Sequence, residues 1–172
     1  MAQAVIDRPP SAASSYTSFS PRLAPSLMAT GGLLAVAGGL GLWVRVTRVD
    51  ASGIAHQTSS LTGAGTATGW LVAVLGAVAI ATMVIRFPSS RWFRLGVSAA
   101  AVVLIALRLS DLSSLASAMA FRAGARAGTA FTAYHAGFGW GAWVMTLALV
   151  ALSLGTIVAV LRWLDERKGL AS

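Results

Sequence analysis

Residues 138–161 read FGWGAWVMTLALVALSLGTIVAVL, without one charged side chain, and the run stops at Arg162-Trp163. A helix needs about 20 mostly apolar residues to cross a hydrocarbon core about 30 Å thick, so this stretch is long enough to span a bilayer. Working outward from it, similar blocks recur at 27–46, 69–85 and 95–115. The third is the weakest, because its uncharged run from Leu95 to Leu107 reaches spanning length only by taking in Arg108 and Asp111. The chain has 172 residues, 56% hydrophobic and only 10% charged, whereas soluble globular domains carry about 25% charged residues. A water-facing surface is not built from so few charges. The expected fold is therefore all-α: an integral membrane antiparallel four-helix bundle over 27–163, with a flexible N-terminal tail and a charged C-terminal tail at 164–172.

The joints fit that division. Residues 1–26 are rich in Ser, Pro and Ala and lack apolar periodicity, so they bury too little surface to offset the entropy of ordering. A cleaved leader would place its apolar core nearer the start, so the first span is expected to stay in the mature chain. Asp50 to Thr68 is polar and rich in Gly, Ser and Thr, and reads as a loop or short irregular hairpin. Pro88 disfavours helix at the residue before it, which makes the segment around Arg86 and Arg91 a tight turn. Ser117 to Thr132 reads as an exposed loop with at most one helical turn.

Tryptophan prefers the headgroup level at both faces of a bilayer. Trp43, Trp70, Trp140 and Trp143 fall at one set of predicted ends, Trp92 and Trp163 at the other. Four spans put both termini on one side. That side carries eight basic residues (Arg8, Arg22, Arg86, Arg91, Arg94, Arg162, Arg167, Lys168) against five on the other. The excess of Lys and Arg predicts a multi-pass protein of the inner (plasma) membrane with cytoplasmic N- and C-termini. The formal charge of +8 would point a soluble protein toward nucleic acid. Here the basic residues sit at the ends of apolar blocks, so the expected partner is the lipid bilayer and no nucleic acid.

Chemistry is sparse. No cysteine is present, which removes disulfides, thiolate nucleophiles and Cys metal sites. His56 and His135 are predicted on one face of the membrane, but only Asp50 or Asp111 is at hand as a third ligand, so no metal or cofactor is expected. Gly137-Phe138-Gly139-Trp140-Gly141 lacks the preceding strand and following Lys-Ser/Thr of a phosphate loop. Asp165-Glu166 reads as a solvated pair in the tail, and no serine lies in a nucleophile-elbow pattern. No catalytic residues are expected, and the chain reads as a non-enzyme.

Two constellations stand out. Gly31, Ala35 and Gly39 in the first span, and Gly137 and Gly141 at the head of the fourth, recur at four-residue spacing. Such spacing lets helix backbones approach closely in lipid, either to pack the bundle or to seat a partner. Arg108 and Asp111, three apart on one helical face, read as an intramembrane ion pair, with structural anchoring favoured over a role in a proton or substrate path.

Leu42-Trp43-Val44-Arg45-Val46, Leu61-Thr62-Gly63, the turn from Arg91 to Arg94, Leu107-Arg108-Leu109-Ser110-Asp111 and Gly137-Phe138-Gly139-Trp140-Gly141 together resemble the small four-span membrane proteins of actinobacteria. One branch of these is the tryptophan-operon-associated membrane protein group, and the resemblance runs from about Ala29 to Leu161. It implies a four-helix membrane fold without an established catalytic role. The expected function is a non-enzymatic accessory or scaffold subunit, docked through its small-residue faces onto a larger membrane complex such as an envelope transport system. The alternative is a small homo-oligomeric transporter or channel with Arg108 and Asp111 near the pathway.

Overall fold

The computed structural model describes residues 22–50, 52–84, 91–127 and 134–169. Residues 1–21 of the expected flexible tail and the turn at Pro88 lie outside them, whereas Leu23 to Ser26, also expected in the tail, form the first turn of a helix. The elements run α1 (Leu23–Leu40), β1 (Leu42–Val49), β2 (Ala55–Thr62), a 3-10 turn (Gly63–Gly65), α2 (Ala67–Val84), α3 (Arg91–Ala127), β3 (Tyr134–Phe138) and α4 (Trp140–Gly169). α1 packs against α2 on one side and α4 on the other, and α3 closes the ring between α2 and α4. The four-helix expectation thus holds, but the all-α expectation does not. A three-stranded antiparallel sheet, in the order β2-β1-β3, joins the helices at the end opposite the termini.

The sheet arises where the sequence reading ran the first helix through to Val46. Hydropathy does not separate an apolar helix from the apolar strand that follows it. The change comes at Gly41, whose extended backbone ends α1. Beyond it the pattern alternates: Val44 and Val46 are buried while Arg45 is exposed, and β-branched residues suit a half-buried pleated surface. The polar joint is ordered as β2, with Val44 opposite Leu61 and Val46 opposite Ser59. Register shifts between Leu42 and Val44 and between Val46 and Thr47 mark bulges, which bend a strand and increase its twist. β3 pairs on the other side, Val44 opposite Phe138 and Val46 opposite Ala136.

The other large departure is α3. The segment from Ser117 onward, expected as loop, continues as helix to Ala127, giving 37 residues and a length of about 55 Å. Leu112 and Ala116 are buried, with Met119 and Ala123 packed beside them, in one core with Val44, Val46 and Tyr134. These four recur at the three-to-four-residue spacing of a helix face, and that face covers the sheet. α4 likewise runs on to Gly169, so the expected C-terminal tail is helical through most of its length.

Three helices, α1, α3 and α4, are long and apolar enough to cross a membrane, and α2 is apolar and shorter. Many of the bundle's buried positions are alanines (Ala35, Ala73, Ala79, Ala101, Ala142, Ala148) beside Ile105, Leu112, Met145 and Leu152, while Leu33, Leu71, Val103, Leu107, Leu147 and Ile157 are each more than half exposed.

Candidate functional site

Polar chemistry gathers in two places, at the sheet end and at the terminal end of the bundle. At the sheet end Trp43, just past the end of α1, is fully buried. Its indole Nε1–H donates to the Gly38 carbonyl oxygen at 2.9 Å, which ties the first residues of β1 to the last turn of α1. Above its ring, 4.9 Å from the centroid, lies the Arg108 guanidinium. The expected ion pair between Arg108 and Asp111 is not formed, whereas His56 pairs with Asp50 and Arg91 with Glu166. Asp111 points out on the exposed side of α3. A ring face attracts a cation, most strongly when water is excluded, so Trp43 takes over from Asp111 as the partner of the charge. The Arg108 Nε is buried without a hydrogen-bond partner.

The small residues singled out in the sequence are used inside the bundle. A side chain at Gly31 would meet Leu152 of α4, and one at Gly39 would meet the Gly69 backbone of α2. Gly141 lies against Gly41, and Ala35 is fully buried. Gly137 differs: it sits in β3 with open space where its Cβ would be. Two further glycines that the spacing argument missed, Gly32 and Gly76, put their backbones against each other between α1 and α2. Their distance in sequence hid the pairing.

Gly63 is the tightest point. A Cβ there would fall on the Gly39 carbonyl oxygen, and its N–H donates to the Gly41 carbonyl at 2.8 Å. Just beyond, the Thr66 hydroxyl accepts from the Gly69 N–H at 3.1 Å, the arrangement by which a residue preceding a helix satisfies one of its free N–H groups.

The hairpin between β1 and β2 is organised by Asp50. Its carboxylate accepts from the Ser52 hydroxyl at 2.6 Å, from the Ser52 N–H at 2.9 Å and from the Ile54 N–H at 2.9 Å, and lies 3.3 Å from His56 Nε2. These hydrogen bonds, led by the Ser52 hydroxyl, hold the carboxyl down at about 2. His56 is thereby engaged by a carboxylate in a turn. Among the described residues no group of three or more metal-ligating side chains comes together.

β2 and β3 are the two outer strands of the sheet, and β2 is exposed along most of its eight residues. Beside it a cleft of about 380 Å³ is lined by Thr58 and Ser59 of β2, Tyr134 of β3, and Met119, Arg122 and Ala123 of α3. At the terminal end a second cleft, of about 240 Å³, opens between all four helices. Arg91, Arg94, Arg162 and Glu166 line it, with Trp92 and Trp163. Arg91 pairs with Glu166, and the two tryptophan rings meet edge to face at 5.3 Å. The Arg167 guanidinium lies 4.2 Å from the Trp163 ring centroid.

Compared with known proteins, the chain matches no protein-family model and no curated protein. The fold and its sites define a four-helix chain with a small sheet at one end.

Proposed function

We propose that this chain is a multi-pass plasma-membrane protein with both termini in the cytoplasm, which acts without chemistry of its own as an accessory subunit of a larger membrane complex. Helices of spanning length with large apolar side chains on their exposed faces support the membrane reading. Large exposed apolar surface marks a membrane or protein contact, and here it covers helices of spanning length whose contacts with one another include close Gly and Ala approaches, the composition that favours close packing in lipid. The resemblance to the small four-span actinobacterial proteins points the same way.

One observation carries the accessory role: β2 is an edge strand that carries no charged or proline side chain, its pairing with β1 interrupted by a bulge at Thr58. Exposed edge strands are normally protected by Lys, Pro or inward charges, because their free N–H and C=O groups recruit another strand. β2 reads Ala-His-Gln-Thr-Ser-Ser-Leu-Thr, with no Lys, Arg, Asp, Glu or Pro. A sheet held outside the bilayer with such an edge suits strand addition by a partner. Docking is placed here rather than on the Gly/Ala seams, which the bundle itself consumes. The transporter reading is the weaker, since Arg108 is engaged by Trp43 and separated from Asp111.

The test is purification of a C-terminally tagged copy from its native membrane in mild detergent. The expected result is a stoichiometric membrane partner that is lost when Thr58→Lys and Ser60→Lys charge the edge. Recovery of the 17.6 kDa chain alone would count against an accessory role.

A further inference from the structure

We propose that the cleft at the terminal end binds the phosphate headgroup of one anionic phospholipid from the leaflet that faces the two termini. The proposal rests on the membrane reading above. Three arginines and one glutamate line the cleft, and three positive charges less one negative leave +2. A guanidinium presents a planar fork of donors that fits two oxygens of a phosphate, and it is more weakly hydrated than an ammonium. Basic pockets between spanning helices on the cytoplasmic side suit anionic headgroups for this reason.

The order of residues along each helix gives the ligand its second character. On α4, Glu166 and Arg162 lie toward the chain end and Ala159 lies deeper; on α3, Arg91 comes first and Leu95 one turn deeper. Met28 lies further along α1, and Met83 stands next to the end of α2. The cleft thus carries apolar side chains beside and below its charged ones, which suits an amphiphile and leaves half its lining unused by inorganic phosphate. Its volume of about 240 Å³ is below the roughly 300–1,000 Å³ of pockets that enclose drug-sized ligands. It takes a headgroup and the adjoining glycerol, with the acyl chains outside in the bilayer. Trp92 and Trp163, paired at the rim, are the residue type that settles at headgroup depth.

The experiment uses the full chain in nanodiscs of phosphatidylcholine containing a minority of phosphatidylglycerol, with co-released lipids counted by native mass spectrometry. The wild-type chain is expected to retain one phosphatidylglycerol in preference to phosphatidylcholine. Arg94→Gln with Arg162→Gln should lower that preference about thirtyfold, the effect of two basic residues near an anionic surface. Arg48→Gln with Arg122→Gln, the same charge change at the sheet end, should leave it unchanged. Equal retention by the wild type and the Arg94/Arg162 variant overturns the proposal. So does displacement of the lipid by inorganic phosphate at matching concentration, which would identify free phosphate as the ligand. Should the double variant fail to fold, a photoactivatable phosphatidylglycerol on the wild-type chain decides: labelling between Arg91 and Leu95 supports the site, and labelling confined to the sheet end overturns it. Alkaline extraction separates the two readings. A chain released from the membrane sinks the membrane reading and this site with it, whereas one retained without lipid preference sinks only the site.

Discussion

Trp43 joins three elements through two interactions: its ring is buried between α1 and the sheet and sits beneath Arg108 of α3. Removing the ring in Trp43→Ala should cost about 3–5 kcal/mol, as for other large buried aromatics. Trp43→Phe keeps most of the apolar contact but gives up the Nε1 hydrogen bond to Gly38, and should cost about 1–3 kcal/mol. Thermal unfolding in detergent orders the two. Gly63 is the complementary case, a position that admits no side chain. In Gly63→Ala the new methyl meets the backbone of Gly39, not a flexible side chain, so the hairpin must shift. The variant should be among the least stable single substitutions in the chain, measured by the same melts.

At the scale of elements, the β1–β2 hairpin turns on Asp50. A carboxyl held at about 2 in the folded turn, below its ordinary 3.8, binds its proton more weakly folded than unfolded. Its contribution to the turn is therefore complete above about pH 4 and is lost as pH falls toward 2. Amide exchange at Ser52 and Ile54 should accelerate over that window relative to the intrinsic rate, and Asp50→Asn should abolish the pH dependence. The extension of α3 is the other element with a distinct task, covering the sheet with Leu112, Ala116, Met119 and Ala123. Leu112 is almost fully buried, and Leu112→Ala should destabilise by about 2–5 kcal/mol, seen as a lower midpoint of thermal unfolding. Exposed serines follow the other side of this helix, Ser110 and Ser114 donating to the carbonyls three residues back at 2.7 and 2.8 Å.

For the whole molecule, the separation of a sheet end from a terminal end makes topology directly measurable. The chain has no cysteine, so each introduced thiol reports alone. Thr58→Cys on β2 should react with a membrane-impermeant maleimide added to intact cells, and Lys168→Cys near the end of α4 only after permeabilisation. Reversed labelling would place the termini outside. It would also move the arginine cleft to the outer leaflet.

Block length and composition in the sequence determined that four apolar segments exist, where α2 and α4 begin to within two residues, and that cysteine chemistry is absent. Those properties are local, since a run of apolar residues of spanning length announces itself without reference to neighbours. The strand at Leu42–Val49 was hidden because its apolar residues continue those of α1, and strand formation depends on β2 and β3, one of which lies some 90 residues away. The α3 extension was hidden by its arginines and alanines, whose helical face becomes meaningful only with a sheet to cover. The candidate sites show the same limit. Residue spacing placed Arg108 and Asp111 on one face, but the tertiary structure supplied Trp43, a cation-binding ring from another element that no local pattern announces. It also spent the Gly31, Ala35 and Gly39 seam within the bundle and drew the arginines of α3 and α4 around one cleft, because only packing decides which of several close-packing faces meets which partner.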